Sequence, residues 1–158
     1  MIFEYDWQDN RDAQAYQDMK DREYNSYSGN KKANKNNWAC GYLGELGFER
    51  FLESRGVPID RHPVVVGKQK ETYDFIIGDR KIDVKSSQKY RDTIACNEHA
   101  RYKAIKNKTI LVGFYIDESM HFGTMFGRCE PEELERDYSM DYMDKKTKKL
   151  VNMYSKKF

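Results

Sequence analysis

The sequence predicts an α/β domain, a central β-sheet with helices packed on it. Three observations point that way. Residues 36–56 carry apolar side chains at helical spacing. Residues 63–68, 73–85, 109–117 and 120–129 form short β-branched, alternating or continuously apolar runs that read as strands. Helical segments are interleaved with those runs, which is the pattern of helices layered on a sheet. With 158 residues the chain fits one domain, 1–158, long enough to bury a core without staples. It divides into an N-terminal helix or arm (1–37), a core (38–134) and an acidic-then-basic C-terminal segment (135–158).

The elements follow in order. Residues 9–27 are polar but rich in helix formers, so a first helix is expected. "SGNKKANKNN" (28–37) is a Gly/Asn/Lys loop, either a nucleic-acid arm or a solvated linker. "NNWACGYLGELGFERFLESRG" (36–56) is the strongest helix. Asn36 or Asn37 can cap it, and Gly56 before Val57-Pro58 stops it. On a helical wheel Cys40, Phe48, Phe51 and Leu52 share one side. Glu45 lies on the shoulder of that side, Glu49 further round and Glu53 further still. Gly44 and Gly47 flank Glu45. Each costs a helix about 1 kcal/mol, which makes sense where another backbone or a ligand comes close.

"PVVVGK" (63–68) reads as a strand, and 73–85 as a hairpin. Residues 96–108 read as a helix capped by Asn97. A buried strand over 109–117 and an alternating strand over 120–129 follow. Pro131 opens a short acidic helix, "PEELERDY". The last fourteen residues read as a basic tail or a helix.

Composition narrows the function classes. The chain is 39% hydrophobic, 34% charged and 14% aromatic, which predicts a thin core under a large charged surface and argues against disorder. Net charge is only +2, but the charges are segregated. Residues 80–108 hold nine Lys/Arg against three Asp/Glu, and 115–144 hold nine acids against two arginines. Residues 145–158 hold six lysines and no acid. Basic stretches beside a site favour a phosphate-bearing partner, although lysine runs also serve solubility alone. Cys40, Cys96 and Cys129 are odd in number and lack a CxxC, so reduced thiols and a cytoplasmic setting are expected. His62, His99 and His121 are too scattered for a zinc motif. No signal-peptide h-region and no apolar run of the ~18 residues a membrane span needs is present. Dinucleotide-binding, P-loop and nucleophile-elbow motifs are absent.

The hairpin "YDFIIGDRKIDVK" carries the chemistry. Strand alternation turns Tyr73, Phe75 and Ile77 one way and Asp74 the other. Ile82 and Val84 turn to the core, and Lys81, Asp83 and Lys85 away from it. A two-residue turn with Gly78 first pairs Ile77 with Arg80, and hence Asp74 with Asp83. A shift of one residue pairs Asp74 with Lys85 instead. Directly opposed like charges destabilise a sheet, and burying a polar group without a partner costs roughly 2–7 kcal/mol. A shared divalent cation removes that penalty. Mg²⁺ suits hard oxygen ligands and keeps waters, and Lys85 supplies a point charge for a phosphate. The plainer alternative is an exposed salt-bridge ladder with Lys85 between the two aspartates, which contributes roughly 0–1 kcal/mol.

"GYLGELGFERFL", "YDFIIGDRKIDVKSSQ", the following helix, "ILVGFYID" and "FGTMFGRCEPEEL" together resemble the PD-(D/E)xK nuclease superfamily over residues 36–134. The likeness is greatest to small stand-alone phage-type endonucleases and branched-DNA (Holliday junction) resolvases. The resemblance implies a restriction-endonuclease-like mixed central sheet flanked by helices, here with an extra N-terminal helical arm. It also implies Mg²⁺-dependent hydrolysis of phosphodiester bonds, with Mn²⁺ able to substitute. Asp74 matches the first acid, Asp83 the second, Lys85 the lysine and Glu45 the helix carboxylate, with Glu49 as its stand-in. The Val84 carbonyl would join Asp74, Asp83 and Glu45 around the metal. Gln88, Lys89, Arg91, Arg101 and Lys103 follow the site and could grip phosphates, and His99 is either a substrate contact or an exposed helix histidine. Tyr73 stands where the motif name has proline. The implied partner is DNA, whether branched, duplex or single-stranded, with RNA also open. No base-reading module is visible, so structure-selective or nonspecific cutting is expected. A homodimer is compatible with a swapped N-terminal arm. Two rivals stay open, a catalytically inactive nucleic-acid-binding protein that keeps the fold and an interaction protein that docks through its acidic 115–144 segment.

Overall fold

The structure, a computed structural model, describes residues 1–28, 37–61 and 73–158. The strand expected over 63–68, most of the 28–37 loop, Asn36 and His62 lie outside these residues. In chain order the elements are β1 (Ile2–Glu4), α1 (Trp7–Ser28), α2 (Asn37–Ser54), β2 (Asp60–Arg61), β3 (Phe75–Ile77), β4 (Arg80–Ser87), β5 (Thr93–Asn97), α3 (Glu98–Lys106), β6 (Thr109–Ile116), β7 (Phe122–Cys129), β8 (Glu135–Arg136), β9 (Tyr142–Met143), β10 (Leu150–Val151) and β11 (Met153–Lys157). The fold is mixed α/β, with three α-helices among the described residues. No helix among them is long and apolar enough to cross a membrane.

The main sheet runs β1-β7-β6-β4-β3-β2. Its central pair, β4 and β6, is parallel, and its other pairs are antiparallel. A parallel pair needs a crossover, which the segment through β5 and α3 supplies. Two small sheets, β5-β11-β8 and β10-β9, accompany it among the described residues.

Helix α2 lies on one face of the main sheet. Its Phe48 and Leu52 join Phe75, Ile82, Val84, Val112 and Phe114 in a single core cluster. The two glycines beside Glu45 permit this approach. A Cβ on Gly44 would strike the Ser86 hydroxyl, and one on Gly47 would lie 2.7 Å from Tyr5 Oη and 2.8 Å from Phe114 Cε1. The helix stops as expected at Gly56, which takes a left-handed φ of 64°. The Val57 amide donates to the Leu52 carbonyl and the Gly56 amide to that of Glu53, the paired bonds of a glycine-terminated helix. On the opposite face Ile94, Cys96, Ala104, Leu111, Cys129 and Leu134 form a second cluster beneath α3.

The N-terminal segment is built into the body. β1 extends the sheet edge along β7. The Tyr5 hydroxyl donates to the Leu43 carbonyl at 2.7 Å, and Arg50 grips both Asp9 oxygens at 2.9 Å, so α1 is fastened to α2.

Several expectations need correcting. The acidic helix after Pro131 is a single 3-10 turn, Pro131–Glu133, closed by reciprocal Glu130 and Glu133 capping bonds. The chain then runs extended into β8. Aspartate side chains explain the stop. Asp137 accepts from the Ser139 amide and Asp144 from the Lys146 and Thr147 amides, local bonds that compete with a helix. The last residues are neither tail nor helix, since β11 pairs with β5 and β8. Sequence patterning also gives no sign of strands β1, β2, β5, β9 and β10.

Candidate active site

The hairpin turn forms as expected. Gly78 has φ 63°, and the register runs Ile77↔Arg80, Ile76↔Lys81 and Phe75↔Ile82. The ladder ends there, so Asp74 and Asp83 are not an opposed pair. Asp74 leaves the strand, its amide donating to the Ile82 carbonyl at 2.7 Å. Its carboxylate accepts from the Val84 amide at 2.6 Å. A continued ladder would give that amide to the Tyr73 carbonyl. Asp74 has therefore taken the place of a backbone acceptor at the end of β3. In an extended strand a residue's carbonyl leaves on the same edge as its amide, so the Val84 carbonyl points to the edge where Asp74 sits.

Alternation along β4 places the rest. Ile82 and Val84 face α2 and are buried. Asp83 and Lys85 turn to the other face, where Lys85 Nζ meets Asp83 Oδ2 at 2.7 Å, with side chains 31% and 20% exposed. Their charges reach the buried Cys96 thiol of β5, which burial pushes up to about 11. Glu45 arrives from α2 on the opposite face. Asp74 thus stands at a sheet edge, with Glu45 on one side and Asp83 on the other.

The electrostatic result is a crowded carboxyl. Burial, then the charges of Glu45 and Asp83, push Asp74 up to about 9, against the pull of the Val84 amide and Lys85. Glu45 is a helix glutamate whose charge acts on Asp74. Lys85 moves the other way. Burial works against its charge, but contact with Asp83 outweighs it, Asp74 adds to the effect, and the ammonium is held above the usual lysine range.

Among the described residues no three His, Cys, Asp or Glu side chains converge on one point as metal ligands. Asp83 is turned onto Lys85 and Asp74 onto the Val84 amide. The donor set nonetheless suits a hard cation in its chemistry: three carboxylates and an edge carbonyl, one carboxyl pushed toward protonation by burial and by its neighbours.

A cleft of about 610 Å³ opens beside this edge, lined by Val84, Lys85, Ser86, Ser87, Gln88 and Lys89 from the end of β4 onward and by residues of α1 and α2, Glu45 among them. Of the expected phosphate contacts, Gln88 and Lys89 line it. Gln88 also donates to the Asp117 carbonyl at 3.1 Å. Arg91 is exposed on the following bend, over the Tyr115 ring. Arg101 has structural partners, the Pro131 carbonyl at 3.1 Å and the Tyr154 ring. Lys103 lies on α3, half-buried, and His99 is exposed there. The far wall of the cleft was not foreseen: Tyr16, Lys20, Trp38 and Tyr42. The signal available was the i, i+4 spacing of Tyr16 with Lys20 and of Trp38 with Tyr42, one helical face each.

Comparison with known protein families, with curated proteins and with solved structures returned no match.

Proposed function

We propose that this chain is a metal-dependent endonuclease of the PD-(D/E)xK type on a restriction-endonuclease-like core. It would hydrolyse phosphodiester bonds in DNA, selecting structure or cutting nonspecifically. The observation that carries the reading is the crowding of Glu45, Asp74 and Asp83 around one sheet edge with Lys85 beside them. Mg²⁺ or Mn²⁺ would be held by Asp74, Asp83 and the Val84 carbonyl, with Glu45 completing the acidic set. Such an ion supplies Lewis acidity toward the phosphate and lowers the pKa of a bound water.

The chain's own groups do the rest. A cation held by Asp74 would offset the burial and the neighbouring carboxylates that favour its protonated form. Asp83, paired with Lys85 at 2.7 Å, would turn from it to serve as a ligand. Lys85 would position or deprotonate the nucleophile and offset charge in the transition state. The three cysteines are free and buried, which suits a reducing, cytoplasmic setting.

A second reading rests on the Asp83–Lys85 contact itself. If that ion pair is permanent, the fold binds nucleic acid without cutting it. Plasmid nicking decides between them. Purified protein should nick supercoiled DNA with Mg²⁺ or Mn²⁺ and stop on EDTA. Asp83→Ala and Lys85→Ala should each lower the rate by about 10²-fold or more while the thermal melt stays nearly unchanged. Nicking that survives both substitutions removes this site from consideration. Tight binding without cleavage under either metal supports the second reading.

A further inference from the structure

The far wall of the cleft has a chemistry that the acidic edge does not use. Trp38 stands in the first turn of α2 and is 38% exposed. Lys20 of α1 lies 5.5 Å from the ring centroids of both Trp38 and Tyr16. The Tyr16 and Tyr42 rings are 5.5 Å apart and tilted by 40°. A buried bond holds this wall in place, with the Ala39 amide donating to Gln17 Oε1 at 3.0 Å, so α1 caps the start of α2. Lys89 lines the same cleft from the end of β4, and Glu45 and Lys85 line it beside the acidic edge.

We propose that this cleft takes an unpaired nucleotide of a single-stranded nucleic-acid segment, its base stacked on Trp38 and its phosphates met by Lys20 and Lys89. The inference deepens the nuclease reading and rests on it for the fate of the strand. Aromatic faces paired with cations are the means by which proteins hold single strands without reading sequence. A partly exposed tryptophan beside a lysine offers both. The volume is within the range of pockets that enclose a ligand of nucleotide size. A paired base cannot use the site, because its faces are covered by its neighbours in the stack. Only a base outside the stack can lie on a ring set between two helices and a strand. The strand so held passes Glu45 and Lys85, which makes loops, flaps and branch points suitable substrates and blunt duplex a poor one.

The test separates binding from cutting. The chain has two tryptophans, so Trp7→Phe leaves Trp38 as the sole tryptophan, excited selectively at the red edge beyond tyrosine absorption. In EDTA this variant is titrated with short oligo(dT), oligo(U) and a blunt duplex. The proposal expects quenching of Trp38 by the single strands, and affinity at least tenfold above that for duplex. Trp38→Ala in the otherwise unaltered chain should weaken single-strand binding on the order of tenfold, while Trp38→Phe keeps most of it. Tyr142→Ala, on the distant β9–β10 hairpin, should change nothing. The two oligonucleotides tell whether DNA or RNA is preferred. Unmoved Trp38 emission, equal affinity for duplex, or unaltered binding by Trp38→Ala overturns the proposal. Single-strand binding through Trp38 with no cleavage under Mg²⁺ or Mn²⁺ sinks the nuclease reading and leaves the cleft assignment standing. Cleavage at full rate by Trp38→Ala on a flapped substrate sinks the cleft assignment and leaves the nuclease reading intact.

Discussion

Arg136 meets Asp141 through two contacts of 2.6 Å, whereas Asp74 is pressed by two carboxylates and reached by a lysine that is bound to Asp83. The same side chain therefore serves opposite ends in two regions. In the C-terminal segment hydrogen bonds hold Asp137, Asp141 and Asp144 below the usual carboxylate range. The acidic run there is consumed by its own turns and by β11. At the edge of β3 the charges oppose one another, and Asp74 is pushed up to about 9. Acidic residues that satisfy each other's neighbours shape the chain. The acidic residues around Asp74 are left in conflict, and there we propose a cation site.

Metal should separate the two regions most sharply. Mg²⁺ should raise the melting temperature of the wild-type chain, because binding only the folded state stabilises it by mass action. It should raise that of Asp74→Asn much less, and that of Asp141→Asn as much as wild type. Equal shifts in all three variants break the contrast.

Proton linkage gives the next effect, with opposite signs. The folded pKa of Asp74 is raised from an ordinary 3.8 to about 9, so between these values the folded state holds a proton that the unfolded state has lost. Stability without metal should fall as pH rises from about 4 to about 9, relative to Asp74→Asn measured alongside. For Asp137, Asp141 and Asp144 the shift is downward. Their contribution is present above the usual carboxylate range and is lost as pH falls through their folded values. Paired melts of Asp74→Asn and Asp141→Asn against wild type across pH check both signs.

A smaller effect sharpens the comparison by leaving charge alone. Gly47→Ala sets a Cβ against Tyr5 and Phe114. Overpacking of this kind costs about 1–3 kcal/mol. Denaturant unfolding should register that loss while the response to Mg²⁺ is kept. A lost metal response would mean that the α2 packing and the acidic edge are one unit.

Local chemistry explains what could be read before the fold was known. Gly78 at the turn, Gly56 after α2 and Asn97 before α3 each act within a few residues, and each behaves as anticipated. Asn97 Oδ1 accepts from the Ala100 amide at 2.8 Å. The alternation of Ile82 and Val84 against Asp83 and Lys85 also survives, because a pleat is local. The departures come from partners distant in sequence. β11, "MYSKK", has no apolar alternation and is a strand because β5 lies beside it. Asp74 was placed opposite Asp83 by extending a ladder that in fact stops one pair earlier. The aromatic wall was hidden because Tyr16 with Lys20 and Trp38 with Tyr42 belong to different helices and meet only when α1 packs on α2.

The most direct measurement is a ¹³C NMR titration of the aspartate carboxyls with and without Mg²⁺. Without metal, one aspartate should titrate far above the others, near 9, and Asp74→Asn should remove that signal. With saturating Mg²⁺ the same carboxyl should be ionised throughout the neutral range. If every aspartate titrates near the ordinary value of about 4 and Mg²⁺ moves none of them, the acidic edge is no metal site and the account fails.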